Sequence, residues 1–240
     1  MNKESSYKKR SDGREFNEIR PIKAKVGIVP SADGSALFET GKTRAIAVVR
    51  GPRTLHPQHM QDPLKGILRV NYQMMAFSVW DRIKPGISRR SLEINKVIEW
   101  ALSEIVDLTE FPGSVVDVLI QIPQADAGTR VAGLNAAVMA LAQAGVPMKE
   151  MLSAVAAGKI DKTLVIDVNK EEEDYEEGEG STDIPLCFGS FSKKIYLLQL
   201  DGKISIENFK EILKMGQKAS EKIYKIQVEA LKNPGKEVRG

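Results

Sequence analysis

The chain has one cysteine, two histidines and no apolar run of membrane length, and each shortage removes a class of function. A single cysteine, Cys187, allows no internal disulfide and favours a reducing, cytoplasmic setting. It sits in the apolar stretch 184–188 and reads as a packing residue rather than a nucleophile. His56 and His59 flank Pro57 with no cysteine or carboxylate at ligand spacing. Neither a histidine metal site nor a histidine-driven nucleophilic triad is therefore supported. No stretch approaches the roughly 20 apolar residues of a membrane helix, and the polar start carries no signal-peptide core. A large excess of one charge is missing too. The net charge is only +3, so any anion binding must come from local placement rather than from a general basic coat. No repeat of solenoid period is found.

What is present suits a soluble α+β protein of 240 residues, 42% apolar, long enough to bury a substantial core. Residues 1–15 are polar, basic and turn-rich, and are expected to move unless a partner or the Asp12-Gly13-Arg14 turn holds them. Strand-like runs at 22–28, 35–39, 45–49 and 68–75 are separated by glycine turns, which suggests antiparallel pairing. The segment 51–65, with three prolines and both histidines, reads as a loop. A helical period begins at Ser88, and a buried strand follows at 114–122. A second helix, 130–144, starts from Thr129 or Asp126 as its cap. Next come a short amphipathic segment at 148–157, a strand at 163–168 and an acidic loop at 170–183 that suggests a hairpin into the strand 184–188. A strand at 194–200 and a long helix capped by Ser205 and running to about 232 complete the order.

Three clusters point to phosphate chemistry. Ser88 is a candidate N-cap that places Arg89 and Arg90 in a first helical turn. Cations there oppose the helix dipole, a pairing that makes sense when an anion sits between them. Asp126-Ala127-Gly128-Thr129-Arg130 offers backbone N–H groups, a hydroxyl and a guanidinium at a second helix mouth, the makings of an anion nest, although a plain capping turn by Asp126 is the competing reading. Asp174 lies in an acidic run that on its own reads as a solvated loop, whereas Asp183 directly precedes an apolar strand, where one-sided burial can tune a carboxyl. Asp167 stands at a strand end and reads as a turn cap.

Several pieces then occur in order: Arg10-Ser11-Asp12-Gly13-Arg14, Arg20-Pro21-Ile22, Ala32-Asp33-Gly34-Ser35-Ala36, Gly51-Pro52-Arg53, His56-Pro57-Gln58-His59, Ser88-Arg89-Arg90, Gln124-Ala125-Asp126-Ala127-Gly128 and Asp183-Ile184-Pro185. Together they resemble the catalytic, ribonuclease PH-like subunit of the archaeal exosome over nearly the whole chain. The resemblance implies the ribonuclease PH fold (ribosomal protein S5 domain 2-like), with mixed sheets backed by helices. It implies one such domain over 10–232, a flexible basic tail at 1–9 and a C-terminal tail at 233–240. It implies a phosphate-dependent 3′→5′ exoribonuclease that releases nucleoside diphosphates and, in reverse, tails RNA. Inorganic phosphate is the co-substrate, and Mg²⁺ is implied as a cofactor.

The family's phosphate-binding positions map onto Arg90, Gly128, Thr129 and Arg130. Its RNA-binding positions map onto Arg89, Arg90, Arg130 and the loop of His56, Gln58 and His59, where relatives often carry arginine in place of Gln58. Its two aspartates map onto Asp174 and Asp183, in catalytic or metal-binding roles. They stand nine apart here, against six in most members, with Gly180-Ser181-Thr182 as the apparent added piece. The implied partners are RNA, an inactive ribonuclease PH-like sister subunit in a hexameric ring with three of each, and RNA-binding cap proteins; DNA and membranes are not implied. The rival expectations are a homohexameric ribonuclease PH that trims transfer RNA, and a non-catalytic RNA-binding ring subunit.

Overall fold

The computed structural model describes residues 7–81 and 83–240. The first sheet holds β1 (Ile22–Val26), β2 (Gly34–Thr40), β3 (Thr43–Thr54), β4 (Ile67–Met74) and β5 (Ser114–Gln124); buried and outward residues largely alternate along them except in β2, which is buried on both faces. The second sheet holds β6 (Leu152–Ile160), β7 (Thr163–Ile166), β8 (Ser181–Gly189) and β9 (Ile195–Leu198). A short β10 (Val238–Arg239) lies within the expected C-terminal tail and pairs antiparallel with β1, so the first sheet runs β10-β1-β2-β3-β5-β4 and the second β7-β6-β8-β9.

Four helices accompany the sheets: α1 (Arg89–Ser103), α2 (Thr129–Gln143), α3 (Lys170–Glu173) and α4 (Ile206–Lys232). Helix α2 has 12 buried residues among its 15, so it is apolar on nearly every side rather than along one stripe. That pattern requires neighbours all round, and α2 lies between the sheets, against β2, β3 and β5 on one side and β6 on the other. The approach is close: a Cβ on Gly34 of β2 would stand 2.2 Å from the Ala140 carbonyl oxygen of α2, so only glycine fits there. Helix α1 covers β4 and touches β9, while α4 covers β6. Buried residues from both sheets, from Ile22 to Val238, join one continuous core.

Four local expectations are corrected. The run at 68–75 does form a strand, but β4 pairs parallel with β5 and not antiparallel with β3, because α1 supplies the long connection that a parallel neighbour needs. The loop expected from residue 51 starts later, since β3 stays paired with β5 to Thr54. Of the segment 148–157, residues 152–157 are strand and form most of β6, which is buried on both faces and so lacks the alternation of a one-sided strand. The strand 163–168 does not form a hairpin with 184–188; β7 and β8 each pair with opposite edges of β6.

The N-terminal segment is anchored from residue 7 onward, while residues 1–6 of the expected tail lie outside the described residues. Arg10 is 2% exposed and grips Glu172 of α3 with two bonds of 2.7 Å. It also donates to the carbonyls of Ile166 and Asp167, and the Tyr7 hydroxyl donates to the same Glu172 carboxylate at 2.6 Å.

Candidate active site

The mouth of α2 is the natural starting point, because it has no side-chain cap. Gly128 is the N-cap residue, in the left-handed region at φ +65°, and no side chain bonds the first amides of the helix. Neither expected cap plays that part. The Asp126 carboxylate turns away to pair with Arg20 at 3.5 Å and to accept from the Lys170 amide. The Thr129 hydroxyl accepts from the Tyr72 hydroxyl at 2.8 Å. The loop itself is fixed from behind. Arg20 donates to the Asp126 carbonyl at 2.5 Å and binds Asp167 through its side chain, and the Thr43 hydroxyl donates to the Ala127 carbonyl. Asp167 thus orients Arg20 rather than capping a turn. The free amides and the dipole of a buried helix therefore face outward on a rigid support.

The mouth of α1 differs. Ser88 and Ser91 close it with a reciprocal capping box, so Arg89 and Arg90 are presented as exposed side chains on a finished helix start. Arg130, in the first turn of α2, sends Nη2 to both carboxyl oxygens of Glu93 at 3.3 Å, while its Nε is buried with no partner.

Asp183 lies in β8 opposite Gly158, and it exchanges backbone bonds of 2.9 Å with Asp201. Its carboxyl is raised to about 6. Burial is the main cause, and the Glu173 carboxylate adds to it; Arg130 pulls the other way, Asp201 raises it again, and Arg90 lowers it. The same two arginines act on Tyr72, whose hydroxyl burial raises above its ordinary value. Arg90, Arg130, Asp183 and Tyr72 therefore share one electrostatic neighbourhood, beside Gly128 and Thr129.

Asp174 is placed differently from Asp183. It is the C-cap that follows α3, exposed, and bound to Lys170 one turn earlier at 2.6 Å. The carboxylates that act most strongly on Asp183 are Glu173 and Asp201. Ser181 and Thr182 are paired in β8 with no register shift, so the long spacing between the two aspartates is taken up in the turn before the strand. Much of the acidic run is engaged: Glu172 by Arg10, Glu173 and Asp174 by Lys170, and Glu179 by Lys159. Among the described residues, no group of three or more His, Cys, Asp or Glu is placed to hold a metal ion.

His56, Gln58 and His59 are exposed, and Gln58–Met60 forms a single 3₁₀ turn. They follow the far end of β3, where Thr54 pairs with Ser114, whereas the mouth of α2 follows the other end of β5. Eleven strand residues separate the two places, on the order of 30 Å. Sequence reasoning missed Tyr72, Glu93, Glu173, Gln199 and Asp201. None stands in a motif or at a helix mouth: Tyr72 reaches Thr129 from β4, Glu93 reaches Arg130 and Gln199 from α1, and Asp201 pairs with Asp183, contacts between elements far apart in the chain. Chemically, the assembly offers two guanidinium groups and an uncapped helix mouth for a tetrahedral anion, next to a carboxyl able to hold a proton near neutral pH.

Comparison with known proteins identifies the family. Residues 18–147 match domain 1 of the 3′ exoribonuclease family, and residues 150–219 match domain 2. The chain is 50% identical over 224 residues to exosome complex component Rrp41 of Thermococcus kodakarensis, covering 93% of this chain and 88% of that protein. It is 44% identical over 225 residues to the protein of the same name from Archaeoglobus fulgidus, covering 92% and 86%. Among solved structures, rice Rrp46 superposes with a TM-score of 0.82 at 26% identity, covering 93% of this chain and all of that one. An Archaeoglobus fulgidus exosome with RNA bound to the active site gives 0.75 at 23% identity over 90% and 92%, a likeness of fold.

Proposed function

The chain belongs to the 3′ exoribonuclease family, and on that premise we propose that it is the catalytic subunit of an archaeal exosome core, a phosphate-dependent 3′→5′ exoribonuclease. The observation that carries the reading is the electrostatic coupling of Asp183 to both Arg130 and Arg90 beside the uncapped mouth of α2. Inorganic phosphate is held by the α2 amides with Gly128, Thr129 and Arg130, and Arg90 faces the same anion. Arg89 and Arg90 hold the RNA backbone. Phosphate and a phosphodiester repel by roughly 4 kcal/mol per charge pair at 4 Å and an effective dielectric near 20. Two guanidinium groups and a helix mouth offset that repulsion and keep the attack in line.

A phosphate oxygen forms the new bond to the terminal phosphorus as the bond to the 3′ oxygen breaks. That oxygen leaves with its electron pair and takes the proton from Asp183. The products are a nucleoside diphosphate and an RNA one nucleotide shorter, and the reverse reaction tails RNA. In its ionised form Asp183 would instead hold Mg²⁺ together with substrate phosphates, since this ion is commonly held by one or two carboxylates and phosphate oxygens and a carboxyl that carries the proton cannot ligate it. It would supply charge neutralisation at the leaving oxygen. Asp174, tied to Lys170, serves from the rim, and Glu173 is the nearer second carboxylate. His56, Gln58 and His59 meet the RNA strand several nucleotides upstream.

The proposed setting is cytoplasmic; among the described residues no helix is long and apolar enough to cross a membrane. The proposed assembly is a ring with a sister subunit, three of each, under an RNA-binding cap. Incubation of the assembled enzyme with RNA, with and without inorganic phosphate, tests the reading. Nucleoside diphosphates are expected with phosphate and almost no decay without it. Nucleoside monophosphates, or decay indifferent to phosphate, would overturn it.

A further inference from the structure

Building on the phosphate site just described, we propose that Glu93 is a positioning residue that holds the Arg130 guanidinium at the mouth of α2 before phosphate binds. Glu93 lies one turn beyond Arg89 and Arg90, so it shares their side of α1. From there it spans three elements. Both of its carboxyl oxygens accept from Arg130 Nη2 on α2 at 3.3 Å, and Oε1 also accepts from Gln199 Nε2, just past β9, at 2.7 Å. The Gln199 amide in turn donates to the carbonyl of Pro185, two residues from Asp183.

The pattern of unmet hydrogen bonds points the same way. Among the described residues three buried side-chain polar atoms lack a partner, and two of them, Arg130 Nε and Gln199 Oε1, flank Glu93. Buried groups left unpaired in a native fold are commonly those a ligand completes. The Arg130–Glu93 pair is a poor stability device, because the carboxylate is 46% exposed and its contacts are long. Its stronger effect is on direction. With Nη2 steered to Glu93, the guanidinium cannot swing away from the helix mouth, and the unpaired Nε remains near the anion position. The Glu93 charge also repels phosphate, but water screens that effect at a half-exposed carboxylate, whereas loss of side-chain orientation is not screened.

The test uses Glu93→Ala, Glu93→Gln and the wild type in the assembled enzyme, with rates measured against inorganic phosphate. Glu93→Ala should raise the phosphate KM about tenfold, the effect of a misplaced binding group. Its kcat at saturating phosphate and its melting temperature should stay near wild type, because phosphate still reaches the same bound state. Glu93→Gln should recover most of the loss, since its amide oxygen still accepts from Arg130. A KM unchanged or lowered in Glu93→Ala would overturn the proposal, as would a Gln variant as impaired as the Ala variant. Calorimetric binding of inorganic phosphate reads the same site without turnover. A wild type that binds phosphate but releases no nucleoside diphosphate refutes the phosphorolytic reading alone, and the binding ratio of the variants still decides the role of Glu93. A wild type that binds none refutes both.

Discussion

At Asp183, burial first and the Glu173 carboxylate next raise the carboxyl from 3.8 to about 6, against the pull of Arg130. A raised carboxyl favours the neutral form in the fold. Its stabilising share is thus present below the unfolded value and is lost as pH climbs through about 6. The shift corresponds to roughly 3 kcal/mol at neutral pH, reduced to about 1–3 for a partly exposed group. Asp183→Asn should therefore melt several degrees above wild type at pH 8, by about 2–4 °C per kcal/mol. At pH 4 the two proteins should melt together, and at every pH nucleoside diphosphate release should be lost. Equal shifts at both pH values, or retained turnover, would show that the carboxyl is neither strained nor the proton donor. The sequence pointed to this residue because an acid directly before an apolar strand is visible in one dimension. It did not point to Glu173 over Asp174, because which of two adjacent acids faces Asp183 depends on the α3 turn and on the hold of Lys170.

Among the elements, α2 and α3 show how residues behind the candidate site, Arg20, Asp126 and Arg10, stiffen the parts that form it. The expected caps of α2, Asp126 and Thr129, are both good cap formers, and sequence cannot choose between them. The structure uses neither, because Arg20 and the Lys170 amide occupy Asp126 and Tyr72 occupies Thr129. Gly128 can take the left-handed cap, which leaves the helix amides bare. Helix α3 depends on the chain's beginning: the buried pair of Arg10 with Glu172 pins it through two bonds, with Tyr7 as a third. Arg10→Ala would strand a buried carboxylate, a loss of about 3–5 kcal/mol. A fall in melting temperature of roughly 10 °C is expected in a thermal scan. A change of only a degree or two would mean that Glu172 finds water instead.

For the whole molecule, large apolar side chains remain outside the core. Phe77, Trp80 and Ile87 are exposed before α1, and Phe191, Leu200 and Ile206 are exposed near β9 and the start of α4. Surfaces of this kind are commonly covered in an assembly. Mixing the chain with a ribonuclease PH-like sister subunit should raise phosphate-dependent RNA decay sharply, read as nucleoside diphosphate per catalytic chain. Equal activity from this chain alone would favour a homohexamer. The sequence by itself determined the starts of α1 and α4, most of the strands, the burial of Cys187 and the placing of Arg89, Arg90 and Arg130 in first helical turns. Those features rest on spacing and side-chain chemistry within a few neighbours. Only the tertiary structure decided that β4 joins β5 in parallel, that β6 lies between β7 and β8, and that Glu93 and Gln199 stand at Arg130. Strand pairing and charge contacts of that kind join residues tens to more than a hundred positions apart, and packing around the buried α2 settles them where local periodicity cannot.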